Sequence, residues 1–435
     1  MKSIKRLQKN RFVKNIAMLT SGTAFAQILT IALTPIVTRI YPPEEYGVLS
    51  IYVTIVTLIS IGAALDYQLA IPIAKNEENA YNIIVLACSV LLIVSIVIVI
   101  LLLIGGEWFL NILNSPTLVD YMYLIPLGIF FVTLYKILMA WSQRVKDFKS
   151  ITKTKITQSI FSNIGRIGFG FMNLGPVGLL LSHIIGQSGG ISRLSKPLII
   201  RRKEFSKSIS FSKIMYMARR YIRFPLYSAP SNYVYTAGNQ APIIALAAIF
   251  GPSVVGLFGL AKSMVSLPVS LISNSVSQVF YSEIASIGKG NPKKIKELTL
   301  KLASKLAIIG LIPLIVLISL GPFLFTIAFG EDWHDAGVFA RMLAIVAFAE
   351  FVIFPLGKVT GGVLEKPYIG LSINSIRLIS VVLAFILAYQ FGFSANLTVL
   401  IYTIVVVISY VVTFISIQVV LNNEIKKMEI KFIKN

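Results

Sequence analysis

Long apolar segments recur along the chain, most of them about 20 residues long and separated by shorter polar or basic segments. A helix of that length crosses the roughly 30 Å of hydrocarbon in a bilayer. Since lipid cannot hydrogen-bond to free backbone groups, and no segment alternates like a barrel strand, the pattern predicts an all-α integral membrane protein. The twelve predicted transmembrane helices are residues 15–37, 48–73, 81–104, 121–141, 152–172, 176–195, 224–249, 254–283, 302–328, 338–362, 368–390 and 395–421.

Charge is unevenly distributed between the two sides that these spans define. The chain carries 40 Lys and Arg residues and a formal net charge of +22, although charged residues make up only 13% of it. Most of these basic residues fall in the N-terminus and in every second connection, whereas Arg39 alone falls in a connection on the other side. Because positive charge accumulates on the cytoplasmic side, we expect both termini to be cytoplasmic. Membrane topology therefore explains the excess of basic residues, and no nucleic-acid partner is expected.

The predicted spans divide into two six-helix bundles, 1–195 and 224–435, joined by a basic cytoplasmic linker, 196–223. Both halves contain a proline followed four residues later by a glycine at the start of a span, Pro43 with Gly47 and Pro252 with Gly256. A duplication of six spans would relate the halves by an axis along the membrane normal and leave a cavity between them. The linker is either a plain connection that obeys the charge rule or an amphipathic segment that lies on anionic membrane lipids.

Ionisable residues inside the spans are the main candidates for function, since each costs roughly 2.5 to 3.5 kcal/mol on insertion scales. The candidate substrate-binding residues are cationic: Arg166, Arg377 and Lys262 first, then Lys136 and Arg39. Cations in a bundle interior suit an anionic substrate, and the guanidinium group matches phosphate oxygens in particular. The alternative for each residue is a structural ion pair or a contact with backbone carbonyls.

Three further residues have candidate roles in coupling or charge balance. Asp66 and Glu350 could neutralise the cations or take up a proton, and His183 could titrate near neutral pH. Each also has a structural interpretation, as a charge-balancing or packing residue. With one cysteine and two histidines far apart in the chain, the sequence predicts no metal site and no cofactor. The outer connections are short, so we expect a protein that is not an enzyme.

A run of residues at the end of the first span resembles a landmark of the Wzx-type polysaccharide flippases, members of the superfamily of multidrug and oligosaccharide-lipid exporters known as MOP. The run is Pro35 to Gly47, PIVTRIYPPEEYG. Segments from Gly178 to Gln187 and from Phe329 to Trp333 are similar to later landmarks, so the resemblance spans most of the chain. It departs at Asp66 and Gln68, where the family more often has Arg-Tyr-Glu around the shared Tyr67.

The resemblance implies a MATE-like fold in a bacterial plasma (inner) membrane. It also implies an alternating-access flippase for oligosaccharide repeat units linked to undecaprenyl diphosphate, serving O-antigen (lipopolysaccharide) or a similar surface polysaccharide. Further partners are membrane lipids, polysaccharide polymerase machinery, and a proton or sodium ion as the coupling ion. Two alternatives stay open: an ion-coupled multidrug antiporter of the same superfamily, in which acidic residues would dominate the cavity, and a lipid II flippase.

Overall fold

The computed structural model describes residues 2–288, 290–364 and 366–434, and within these ranges the chain forms helices and no strand. The all-α prediction is therefore confirmed. The helices are α1 Lys2–Ile40, α2 Pro43–Gly62, α3 Glu77–Ile112, α4 Pro116–Val119, α5 Leu124–Arg144, α6 Phe148–Phe171, α7 Gly175–Ser188, α8 Ile191–Ile200, α9 Arg202–Ser208, α10 Phe211–Arg220, α11 Ala229–Phe250, α12 Pro252–Ile287, α13 Pro292–Phe329, α14 His334–Ile353, α15 Pro367–Gln390 and α16 Ala395–Lys434.

Nine helices among the described residues are long and apolar enough to cross a membrane. They are α1, α2, α3, α5, α12, α13, α14 with its short continuation to Val363, α15 and α16. The predicted spans at α6, α7 and α11 fall outside this set. Helix α6 carries several lysines as well as Arg166, α7 has 14 residues, and α11 is rich in polar side chains. The count of twelve spans and the cytoplasmic location of both termini stay predictions.

Contacts group the chain into two units. Unit 1 comprises the chain up to Thr236 together with Phe250–Gly256, and unit 2 comprises Ala237–Ile249 and the chain from Leu257 onward. In unit 1, α6 packs against both α1 and α7, and α5 packs against α2 and α3. In unit 2, α14 packs against α13 and α16, and α15 packs against α16. The division into 1–195, 196–223 and 224–435 stays a prediction about topology.

The second predicted span, 48–73, is interrupted in the structure. Helix α2 ends at Gly62, and after a turn the chain forms a short 3₁₀ helix, Tyr67–Ala70. Leu65 and Asp66 adopt positive φ angles of 48° and 57°, a left-handed conformation that is uncommon for residues other than glycine. The apolar sequence continues through this break, so hydrophobicity alone predicted one uninterrupted helix.

Arg144, the last residue of α5, binds the non-helical backbone that follows this break. Its Nη1 donates to the carbonyl oxygens of Ile71 at 3.1 Å, Pro72 at 3.4 Å and Ala74 at 2.7 Å. Backbone carbonyls outside a helix need partners when they are removed from water. Arg144 supplies those partners from a neighbouring helix.

The two Pro-to-Gly repeats meet in unit 1, where the first turns of α2 and α12 are in contact. A Cβ atom placed on Gly47 would collide with the carbonyl group of Pro252, and one placed on Gly256 would collide with that of Pro43. Each glycine thus lies against the backbone of the other repeat's proline. Close helix approach through small residues is a common way for membrane helices to pack.

Candidate functional site

A cluster of charged and amide side chains lies among the helices of unit 2. We call it the cationic cluster, and it consists of Asn239 on α11, Lys262 on α12, Glu350 on α14 and Arg377 on α15. Lys262 Nζ donates to the backbone oxygen of Asn239 at 2.6 Å, and Arg377 Nη2 donates to Asn239 Oδ1 at 3.4 Å. Glu350 lies close enough to interact electrostatically with both cations. Two positive groups and one negative group leave a formal charge of +1.

Arg377 makes few hydrogen bonds for a buried arginine. Its side chain is buried, with 8% of the residue exposed, and its Nε has no hydrogen-bond partner among the described residues. An arginine has five N–H donors, and an unsatisfied buried donor costs about 1 to 3 kcal/mol. Tyr402, which packs against Phe258 and Phe385, lies close enough to Arg377 for an electrostatic interaction. The guanidinium group is therefore positioned beside an aromatic cluster with donors still available.

Unit 1 contains a second cluster, built around a carboxylate. We call it the acidic cluster, and it consists of Asp66, Gln68, Ser228 and Asn232. Asp66 is 4% exposed, and it accepts hydrogen bonds from Gln68 Nε2 at 3.1 Å, Ser228 Oγ at 2.9 Å and Asn232 Nδ2 at 2.7 Å. Ser228 ends a π-helical turn, Phe224–Ser228, that leads into α11. The carboxylate therefore connects the break after α2 to the start of α11.

Lys136 on α5 supplies a positive charge near the acidic cluster. Its Nζ donates to Ser60 Oγ at 3.0 Å and to the Ser60 backbone oxygen at 3.4 Å. Its charge also interacts with that of Asp66, although no salt bridge within 4 Å joins the two in the described chain. Neutral side chains thus provide the direct contacts of both ions.

Arg166 on α6 and His183 on α7 form a smaller polar pair in unit 1. Arg166 lies close enough to His183 for an electrostatic interaction, and both Arg166 Nε and His183 Nδ1 are buried without a hydrogen-bond partner among the described residues. The His183 ring meets the Tyr52 ring edge-on at a centroid distance of 5.6 Å. Tyr41 donates to the backbone oxygen of Arg166 at 2.9 Å.

The sequence-predicted residues are therefore distributed over several places. Lys262, Arg377 and Glu350 come together in unit 2, while Asp66 lies near Lys136 and Arg166 near His183 in unit 1. Arg39 is exposed in the last turn of α1, and no hydrogen bond or ion pair among the described residues joins it to these groups.

Sequence reasoning did not assign roles to the neutral partners in these clusters. They are Ser60, Gln68, Ser228, Asn232, Asn239 and Tyr402. The available signal was the unusual density of amide side chains in the weakly hydrophobic seventh span, where Asn232 and Asn239 lie.

The chemistry that these clusters offer is ionic binding. Within the described residues, no three His, Cys, Asp or Glu side chains are arranged to hold a metal ion. An arginine with free donors next to a lysine can bind phosphate or carboxylate oxygens through charge-assisted hydrogen bonds. The cationic cluster is therefore the candidate anion-binding site.

Comparison with known proteins identifies the family. Residues 36–338 match the family described as polysaccharide biosynthesis protein. The teichuronic acid biosynthesis protein TuaB of Bacillus subtilis (strain 168) is 25% identical over 220 residues, which are 50% of this chain and 44% of that protein. The chain thus spans less than half the length of this curated relative.

Solved structures of membrane transporters share the fold. A multidrug resistance MATE family transporter of the MOP superfamily, in an inward-facing conformation, superposes with a TM-score of 0.71 and 13% identity over 95% of this chain and 99% of its own. The lipid II flippase MurJ, in an inward closed conformation, superposes with a TM-score of 0.70 and 14% identity over 96% and 93%. This multi-pass membrane protein, whose fold is consistent with the bacterial inner membrane, therefore belongs to the polysaccharide biosynthesis protein family and has the MOP exporter fold.

Proposed function

We propose that this protein is a flippase that moves an anionic lipid-linked oligosaccharide across the plasma membrane by alternating access. The substrate is an oligosaccharide repeat unit on undecaprenyl diphosphate, and the product serves a surface polysaccharide such as O-antigen. The family match and the teichuronic acid relative support the polysaccharide part of this proposal. The fold shared with MurJ, a lipid II flippase, supports a lipid-linked substrate.

The observation that carries the proposal is the unsatisfied cation in unit 2. Arg377 is buried, its Nε has no partner in the described part of the chain, and Lys262 lies beside it in a cluster of formal charge +1. A diphosphate offers several oxygens that match the guanidinium group and the ammonium group. A positively charged drug would instead be repelled by this cluster, so the site favours a flippase over a cation antiporter.

The remaining candidate residues have supporting roles in this proposal. Arg166 and Lys136 extend the positive potential through unit 1, and Arg39, on the predicted outer side, contacts the anion after it has crossed. Glu350 limits the net charge of the cationic cluster, Asp66 balances the charge of Lys136, and His183 takes part in coupling to the ion that drives transport. One charge crossing 100 mV supplies about 2.3 kcal/mol, enough to bias such a cycle.

The test begins with deletion of the gene in its host, in a strain that has no second flippase. We expect undecaprenyl-diphosphate oligosaccharide to accumulate at the cytoplasmic face and surface polysaccharide to disappear. Expression of the wild-type protein reverses both changes, whereas a variant with Arg166→Ala and Arg377→Ala, present at an equal level, does not. Unchanged lipid-linked intermediates and unchanged surface polysaccharide in the deletion strain would refute the flippase proposal.

A drug-resistance assay separates the antiporter alternative. The deletion strain is exposed to cationic drugs, with the same strain carrying the wild-type gene as the control. The flippase proposal predicts equal growth of both strains at every drug concentration that leaves the envelope intact. Drug efflux that depends on the gene and on Glu350 would favour the antiporter.

A further inference from the structure

Two cavities lie one after the other along helices α12 and α13 of unit 2. The first has a volume of about 500 Å³, and its lining includes Val279 and Glu283 of α12 and Lys301 and Lys305 of α13. The second has a volume of about 340 Å³ and an apolar lining that includes Pro268 of α12 and Pro313 of α13. The two helices thus form one seam, defined here as the α12–α13 seam, with a charged section and an apolar section.

The two sections lie at successive levels along the helix pair. From the charged section to the apolar section, the lining residues of α12 extend from 283 to 264. Those of α13 extend from 298 to 317 in the same direction. At 1.5 Å per helical residue, the length of each helix that lines the two cavities is roughly 28 Å, close to the thickness of the hydrocarbon core. The charged section lies at the ends of both predicted spans, on the side that the charge distribution predicts to be cytoplasmic.

The charged section is suited to an anionic headgroup. Lys301 and Lys305 are separated by four residues on one helix, so their side chains lie on the same face, and both are exposed. Glu283 is the one carboxylate among the residues that line this section, which leaves a formal charge of +1. Val279 lines the same section and is 70% exposed. The section therefore offers charged contacts through the two ammonium groups and an apolar contact through Val279.

The apolar section has room for a hydrocarbon chain because small residues line it. Gly310, Ala344 and Ala347 contribute little side-chain volume, and Phe348 and Phe351 form part of the wall. The described residues that line this section include no charged side chain. A proline in each helix removes a backbone donor, which weakens regular helix packing at this level.

We propose that the α12–α13 seam binds the lipid carrier of the transported substrate, with its diphosphate on Lys301 and Lys305 and the adjoining part of its isoprenoid chain in the apolar section. This inference rests on the proposed function. The seam is a single file of two cavities along α12 and α13, with α14 as a further wall of the apolar section, and this shape fits one long chain better than the paired chains of a phospholipid. The bound carrier would be held at the cytoplasmic leaflet before it is transported.

The test measures binding of undecaprenyl diphosphate to the purified full-length protein in nanodiscs of neutral lipid, by native mass spectrometry. We expect the double variant Lys301→Ala, Lys305→Ala to bind at least tenfold more weakly, and the double variant Lys301→Arg, Lys305→Arg to retain binding. Ala344→Phe fills the apolar section and is expected to weaken binding of the full-length carrier more than that of a short-chain isoprenyl diphosphate. The matched control is Lys294→Ala, Lys426→Ala, which removes two exposed lysines of unit 2 that do not line the seam.

Competition identifies the occupant. Phosphatidylglycerol added in tenfold excess should leave the carrier bound, and displacement at equal concentrations would overturn the assignment to the carrier. Equal binding by the wild-type protein and the Lys301→Ala, Lys305→Ala variant would also overturn it, whereas the flippase proposal would stand as long as the deletion strain accumulates intermediates. If that strain is unchanged while the seam still binds undecaprenyl diphosphate, the flippase proposal fails and the lipid site remains. Thermal unfolding midpoints within about 2 °C of the wild-type value confirm that the variants are folded.

Discussion

The acidic cluster of unit 1 and the cationic cluster of unit 2 differ in how fully the protein hydrogen-bonds their buried charges. Asp66 receives three hydrogen bonds from neutral side chains, so its charge is satisfied by the protein itself. Arg377 has one long hydrogen bond to Asn239 and a buried Nε without a partner among the described residues. In our proposal, the first cluster is a structural connection and the second binds the substrate.

The largest expected effect is on transport, from changes at Arg377. Arg377→Ala should lower the rate of surface polysaccharide export at least tenfold, because it removes charge-assisted hydrogen bonds to the substrate. Arg377→Lys keeps the charge but loses the planar set of donors, so an intermediate rate is expected. The rate is measured by pulse labelling of surface polysaccharide at equal protein levels. A wild-type rate in Arg377→Ala would contradict the proposed role.

The next effect is on stability, from Asp66→Ala. This change leaves the donors of Gln68, Ser228 and Asn232 without their common acceptor, and breaking such a buried network costs about 2 to 4 kcal/mol. We expect a fall of several degrees in the thermal unfolding midpoint of the purified protein in detergent. Asp66→Asn is the matched variant, since it keeps the shape and one acceptor oxygen. An unchanged midpoint in both variants would show that the acidic cluster is not a structural connection.

A smaller loss of thermal stability is expected from a substitution at Gly47. Gly47→Ala places a methyl group against the Pro252 carbonyl, and only movement of the two helix starts can relieve the clash. Gly62→Ala is the control, because a Cβ there meets no atom within 4 Å. We expect the unfolding midpoint to fall in the first variant and to change little in the second. Equal midpoints would mean that the contact between α2 and α12 is easily deformed.

The smallest effect is expected at the ion pair between Lys366 and Glu424, 2.8 Å apart and about a quarter exposed. Partly exposed pairs of this kind contribute about 0 to 1 kcal/mol. Lys366→Ala should therefore change the midpoint of thermal unfolding by no more than a degree or two, and it should leave transport unchanged. A large loss of transport in this variant would show that electrostatic sensitivity is not confined to the cationic cluster.

The sequence was sufficient to predict the helical class, nine candidate spans in the described part of the chain and the presence of ionisable residues inside the bundles. Each of those features depends on residues that are close together in the chain, such as a run of apolar side chains with one arginine. The family resemblance, carried by PIVTRIYPPEEYG, is likewise local and is confirmed at the level of family and fold.

The partners of these charges were not predictable, because they are distant in sequence. Asn232 lies 166 residues from Asp66, and Asn239 lies 138 residues from Arg377. Only the packing of the helices brings such pairs together. The break after Gly62 was also missed, since Ala63, Ala64 and Leu65 are as apolar as the helix before them and the left-handed turn has no glycine at Leu65 or Asp66.

Arg144 shows that a positive charge near a membrane surface can have a second use. The charge rule for membrane topology treats it as one more cytoplasmic cation, for which lysine would be equivalent. Yet its guanidinium group takes the place of water for three carbonyls of a segment that has left helical geometry. A lysine at this position would preserve the orientation signal and lose part of that local solvation, so the interrupted helix depends on the kind of cation as well as on its charge.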